Sequence, residues 1–303
     1  MSSVFVNLEL RNDTASSIHV DLSETRDPVV LKHPQNYELA IDRFSLHKAW
    51  LPIMEDEHDL KVKIIKKSDS STSTDTLDFS GLVDTNGLMY DTAYFVGALN
   101  ASITSVCAGV GIASGFPTVA LEPGSWIATL DYSGVASFAA DYYLQFNEAL
   151  YGIFSTLPYS DVLGDQAFYS LALTDASPFT IETTEPINLS PVDKIYIKSN
   201  NIPLIYEFSP ATTVGSASNN SEAIVTDFNF NGSNRNPLNN INYEATTGQY
   251  RFHGLQPSTN FNNLDLKFFF KTYNNNSHPL YILASGSCNV KLYFRKLKDN
   301  AEE

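Results

Sequence analysis

Leu264-Asp265-Leu266-Lys267-Phe268-Phe269-Phe270-Lys271 is the stretch on which the fold turns. Leu264, Leu266, Phe268 and Phe270 alternate with Asp265, Lys267, Phe269 and Lys271. A period of two places the first set on one face of a strand and the second set on the other. That is the pattern of a half-buried antiparallel strand.

The same reading extends outward in both directions. Val290, Leu292 and Phe294 alternate with Lys291, Tyr293 and Arg295, and Ile195 and Ile197 alternate with Lys194, Tyr196 and Lys198. Ile224, Thr226, Phe228 and Phe230 form another candidate strand, as do Tyr250 and Phe252 against Arg251 and His253. At the other end of the chain, Val4, Val6, Leu8 and Leu10 alternate with Phe5, Asn7 and Glu9. Ile18, Val20 and Leu22 follow, then Tyr37, Leu39 and Ile41, then Val62 and Ile64. The Tyr37 pattern changes phase at Arg43 before Phe44 and Leu46, which predicts a bulge there. About eight strands separated by Asn, Gly, Pro and Ser turns suit a two-sheet sandwich or jelly roll.

Between these flanks the chain changes character. Residues 68–193 hold fifteen Asp and Glu and not one Lys or Arg, so this stretch equals the net charge of the whole chain, −15. The flanks nearly cancel: eleven acids against nine bases before it, eight against ten after. The stretch opens with a polar run, Ser68 to Asp75, read as a surface loop or linker. Phe95, Leu99, Ile103 and Val106 then recur at helical spacing behind Asp91, a candidate N-cap. Phe146, Leu150, Ile153, Phe154 and Leu157 signal a second helix with Asn147 as its cap, and Trp126 to Asp131 reads as a strand. The expected division is residues 1–67 and 194–303 as a jelly roll. Residues 68–193 then form either an inserted domain or enlarged connections between strands. The fold class is mainly all-β, an antiparallel jelly-roll sandwich with a few short helices in that region.

Composition narrows the function. A chain this acidic lacks the dense Lys and Arg that phosphate contacts need, so no specific nucleic-acid partner is expected. The first residues show no basic n-region or long apolar core, so no signal peptide is read and synthesis inside a cell is expected. Six sequons, at Asn12, Asn100, Asn188, Asn219, Asn231 and Asn275, then belong to an Asn-rich chain rather than to glycosylation. Cys107 and Cys288 offer neither a disulfide framework nor metal-ligand spacing. Thr92 to Leu121 is uncharged, but Asn100 and Ser102 interrupt it and Gly109, Gly111, Gly115 and Pro117 break it; no transmembrane anchor is expected.

No catalytic, cofactor or metal residues emerge. Glu55-Asp56-Glu57-His58-Asp59 is dense in ligand groups, but consecutive strand residues point to opposite faces and cannot all converge on one ion. Asp84-Thr85-Asn86-Gly87 resembles the start of a calcium loop, yet its twelfth position is Phe95 where an acid is needed, so an Asx turn is expected. Gly109 to Gly115 follows a helix and does not match G-x-G-x-x-G; it reads as a helix stop. Histidines 19, 33, 47, 58, 253 and 278 are scattered, and no G-x-S-x-G elbow exists. Two basic clusters, Lys61, Lys63, Lys66 and Lys67, and Lys291, Arg295, Lys296 and Lys298, read either as edge protection or as an interface with acidic neighbours.

The order of several segments resembles the penton capsid proteins of virophages and polinton-type viruses, in particular those of Mavirus-like virophages. Tyr37-Glu38-Leu39-Ala40-Ile41-Asp42-Arg43-Phe44-Ser45-Leu46 with Leu51-Pro52-Ile53 is similar to an early strand of that family. Phe146-Asn147-Glu148-Ala149-Leu150 with Leu157-Pro158 is similar to a short helix, and Lys194 to Ser199 with Ile202-Pro203 to a later strand. Leu264 to Phe268, His278-Pro279-Leu280 and Val290 to Lys296 complete the order. The resemblance implies a non-enzymatic structural protein of the virion. It implies a single jelly roll, self-associated as a homopentamer at icosahedral vertices beside a major capsid protein, with an insertion that can project outward. The residues of the subunit interface are unknown from sequence. The rival reading is a β-sandwich receptor- or carbohydrate-binding module of a viral fibre or surface protein, which would expose aromatics on its loops.

Overall fold

The computed structural model describes residues 3–26, 30–55, 59–122, 125–160, 167–175, 179–187, 189–205, 223–229, 238–245, 250–257, 261–274 and 276–297. The chain divides into two compact units. The first comprises residues 1–51 and 191–303, the second residues 52–190.

The first unit is an antiparallel sandwich of jelly-roll type. One sheet runs in the order Ser3–Arg11, Tyr281–Lys296, Tyr37–Trp50, Leu238–Glu244, with Ile18–His19 and His253–Gly254 adding short pairings. The other runs Ala223–Asn229, Val192–Ser199, Asn263–Thr272, Ser277–Pro279, with Asp21–Thr25 pairing the Asn263 strand. Alternation in the sequence dictates which faces meet. Leu264, Leu266, Phe268 and Phe270 are fully buried, as are Leu292 and Phe294. Phe44 of the first sheet meets Phe268 of the second, ring centroids 5.6 Å apart. Removing each such ring from water contributes on the order of 2–3 kcal/mol.

The bulge expected at Arg43 is present. Lys291 faces Arg43 but Leu292 faces Ile41, so Asp42 is the extra residue. A second irregularity lies between Ile282 and Ser287. There Gly286 packs against backbone: a Cβ would stand 2.8 Å from the carbonyl oxygens of His47 and Leu283, so a side chain has no room. Asn12 stitches the site, its Nδ2 donating to the carbonyls of Ser16 and Ile282 at 2.7 and 3.1 Å.

The second unit has its own core. A five-stranded sheet runs Tyr159–Ser160, Phe168–Leu171, Tyr142–Asn147, Lys61–Lys66, Thr72–Thr76. A three-stranded sheet runs Thr180–Glu182, Ala128–Asp131, Thr118–Leu121. The helix Thr92–Gly109 carries Phe95, Leu99, Ile103 and Val106, all fully buried, at the spacing the sequence shows. Asp91 caps it by accepting from the Ala93 N–H at 2.8 Å. The second helix spans only Glu148–Ile153. Asn147 caps it as expected, accepting from Leu150 N–H at 3.2 Å. Phe146, however, belongs to the preceding strand, and Leu157 lies beyond the helix. Strand and turn residues that pack on one core can mimic a helical period over short spans.

The unit begins at Pro52, not at Ser68 where the Lys/Arg-free stretch begins. Charge marks surface composition, whereas the unit is bounded by pairing: Lys61–Lys66 pairs with Tyr142–Asn147 on one side and Thr72–Thr76 on the other. By these bounds the second unit holds eighteen acids and four lysines, net −14. The first holds sixteen acids and fifteen bases, net −1.

Candidate interaction surfaces

Among the described residues, those singled out by sequence do not converge on a catalytic or metal centre. Among the described residues no group of three or more His, Cys, Asp or Glu is placed to hold a metal ion. Glu55 is buried beside Met54 in a two-residue pairing with Leu88–Met89. Asp59 is exposed and pairs with Lys61 at 2.5 Å; Asp56, Glu57 and His58 lie outside the described residues. Asp84 forms the expected Asx turn, accepting from the N–H groups of Asn86 and Leu88 at 2.8 and 3.0 Å. The glycine run after Gly109 stops the helix, with Gly111 and Gly115 at φ +87° and +74°.

The histidines serve separate structural ends. His19 Nε2 meets the Phe268 carbonyl at 3.1 Å, His47 bonds Asn240, and His278 stacks on Phe270. Both cysteines are free and buried, one in each unit. Burial pushes the Cys107 thiol up to about 12, and the Cys288 thiol higher still. Burial thus disfavours the thiolate at both sites, the opposite of what activates a cysteine nucleophile. Among the described residues no helix is long and apolar enough to cross a membrane.

The two basic clusters do not protect edges. The Tyr281–Lys296 strand is paired on both sides, and so is Lys61–Lys66. The C-terminal bases instead build a polar and aromatic ladder on the outer face of their sheet. Lys291 pairs with Asp42 at 2.9 Å and lies 4.4 Å over the Phe5 ring. Arg295 pairs with Glu38 at 2.5 Å and lies 3.6 Å over Phe252. Phe5 is half exposed and stacks on Tyr293 at 4.8 Å. Lys298 lies outside the described residues. The bulge is what turns Asp42 to this face, where Tyr250 also donates to it at 2.9 Å. Burial opposes ionisation of Asp42, but the hydrogen bonds from Lys291 and Tyr250 and the charges of Lys291 and Arg43 outweigh it. Its carboxyl therefore sits below the usual range.

The second unit uses its acids differently. Asp69, Asp78 and Asp131 accept hydrogen bonds from Ser71, Ser80 and Ser133, and these bonds hold each carboxyl below its usual range. No base contributes at Asp78 or Asp131, whereas at Asp69 the ammonium of Lys66, 3.5 Å away, adds to the effect. Nothing in a charge count distinguishes this use from repulsion; the signal that finds it is Asp two residues before Ser.

An antiparallel jelly roll is an architecture that viral capsid proteins share with lectins and cupins. Residues 176–296 match the family model of the Sputnik minor capsid protein V18/19. The whole structure superposes on the mavirus penton protein with a TM-score of 0.82 at 24% identity, covering 98% of this chain and 100% of that one. A chain of the Sputnik virophage solved by cryo-EM matches with a TM-score of 0.77 at 15% identity, covering 97% and 98%. No curated protein matches. The chain therefore has the fold of these two virophage proteins, and the minor-capsid family match falls on its residues 176–296.

Proposed function

We propose that the chain is a penton protein, assembling as a homopentamer at the icosahedral vertices of a virion beside a major capsid protein. What carries this reading is the likeness over nearly the full chain to the mavirus penton protein. The charge partition supports a division of labour. The first unit, net −1, is suited to packing closely against other copies and shell proteins. The second, net −14, is suited to facing solvent as an inserted domain. Exposed carboxylates on different copies are screened beyond about 10 Å at 0.1 M salt. Negative-stain imaging of the purified chain tests the proposal. Fivefold rings are the expected result, and a monodisperse monomer at high concentration would overturn it.

A further inference from the structure

The outer face of the first sheet of the first unit carries a polar trough of about 790 Å³. That volume lies within the roughly 300–1,000 Å³ of ligand-binding sites. Two rows of side chains cross four strands to form it. Asn7, Lys291, Arg43 and Glu244 are register neighbours in one row. Glu9, Asn289, Ser45 and Asn242 are neighbours in the other. Strands lie about 4.8 Å apart and alternate residues about 7 Å apart, so each row is about 14 Å long. Leu8, Phe44 and Val290 also border the trough, but they are buried and turn to the core.

Folding alone does not select this lining. Asn fits a pleated surface poorly and is depleted in strands. Yet Asn7, Asn242 and Asn289 all stand exposed within strands. None of their side chains has a partner among the described residues, and neither does the Ser45 hydroxyl. Arg43 and Glu244 face each other with opposite charge but form no ion pair among the described residues. Arg43 reaches Asp42 only through its charge. Lys291 and Glu9 are already paired, with Asp42 at 2.9 Å and with Arg11 at 2.5 Å. The groups left over are one guanidinium, one carboxylate, three amides and a hydroxyl. The charges of the lining cancel, Arg43 and Lys291 against Glu9 and Glu244. Phe5 adjoins the trough two residues from Asn7, half exposed and stacked on Tyr293 at 4.8 Å. It gives the polar trough an apolar lip.

We infer that this trough binds a neutral oligosaccharide. Sugar hydroxyls donate and accept at once, and amides do the same without charge. Arg43 adds paired donors and Glu244 paired acceptors for neighbouring hydroxyls. Phe5 offers an apolar edge to the C–H side of a ring. Other partners fit less well. A phosphate backbone needs a net positive surface, and the charges of this lining sum to zero. A peptide that adds a strand needs a free sheet edge, whereas the two central strands under the trough are paired on both sides. A protein partner anchored by buried side chains needs an apolar centre, which these polar rows deny it. The inference goes beyond the penton reading and rests on the first unit alone.

An array of neutral and acidic oligosaccharides probed with the full chain tests the inference, the strongest hit then being measured by titration calorimetry. Binding to a neutral glycan is expected. Its affinity is expected to change less than about twofold between about 50 and 500 mM salt, because no counterions are released. Asn7→Val/Asn289→Val places a strand-forming residue at each site and is expected to melt no lower than the parent. Losing the two amides is expected to weaken binding about 10- to 30-fold. Asn86→Ala, on an exposed turn of the second unit, is expected to change nothing. Failure to bind any neutral glycan overturns the inference, as does undiminished affinity in the folded double variant. Binding restricted to acidic glycans, falling steeply with salt, overturns it in favour of an anion site at Arg43. If fivefold rings lose the binding that the dissociated chain shows, a second copy occupies the face and the inference fails. A chain that binds the glycan but forms no rings upholds the inference while the penton reading falls.

Discussion

In the first unit, Asp265 apart, the carboxylates with described partners mostly meet bases; in the second, apart from Asp59 with Lys61 and Asp69 near Lys66, they mostly meet backbone. Glu9 with Arg11, Glu24 with Arg26, Glu38 with Arg295 and Asp42 with Lys291 are ion pairs on the outer surfaces of the sandwich. Asp69, Asp78, Asp84, Asp91 and Asp131 of the second unit instead accept from the N–H group two residues further along the chain. The first arrangement leaves a nearly neutral body that tolerates close neighbours. The second stabilises loops and helix starts while keeping every unit of negative charge. The difference teaches that the Lys/Arg-free stretch is not an unbalanced version of the rest. It is folded by a different use of the same carboxylates.

The comparison breaks most visibly in the cores. Phe268→Ala in the first unit and Phe154→Ala in the second each remove a fully buried ring. Each is expected to cost about 3–5 kcal/mol. Calorimetry is expected to show each variant lowering a different transition. A common shift of a single transition would mean the units melt as one.

Asp265→Ala is the next largest effect. It strips the acceptor from Ser199, Asn200 and Asn201, and is expected to destabilise the first unit by about 2–3 kcal/mol in chemical denaturation. Asp91→Ala tests the second unit's use of acids: losing the cap of the Thr92–Gly109 helix is expected to cost about 1 kcal/mol. An effect on the first unit's transition from this variant would blur the division.

Acid sharpens the contrast by degrees. Asp42, Asp69, Asp78 and Asp131 all have depressed carboxyl pKa values in the folded chain. Each contributes stability that is present above the unfolded value, near 3.9, and lost as pH falls through the lower folded value. Asp42→Asn is therefore expected to lower the melting temperature of the first unit at pH 6, with the difference shrinking as pH falls through the depressed folded value. A difference that persisted at low pH would mean that packing, not the Lys291 and Tyr250 contacts, sets the effect.

Much of this was legible in the chain. The period-2 runs located the strands around Leu264, Val290, Ile195 and Tyr37, and the phase change at Arg43 located the bulge. Asp91 and Asn147 were legible as caps because capping is local. Asp265 was not: alternation assigns a side but not whether a later turn folds over it. Phe146 was misplaced into a helix because residues converging on one core can imitate a helical period. The boundary at Pro52 was hidden because Lys61–Lys66 carries its lysines outward and so resembles the flanks. The register that aligns Asn7, Lys291, Arg43 and Glu244 could not be read either, since those strands meet only through tertiary pairing. The surface ladder of Phe5, Tyr293 and Phe252 was missed for the same reason.

Hydrogen–deuterium exchange on assembled and dissociated protein tests the division of labour most directly. Assembly through the first unit predicts added protection within residues 3–51 and 191–297, with the exchange of residues 59–187 unchanged. Added protection concentrated in residues 59–187, or no assembled form at all, would contradict the account.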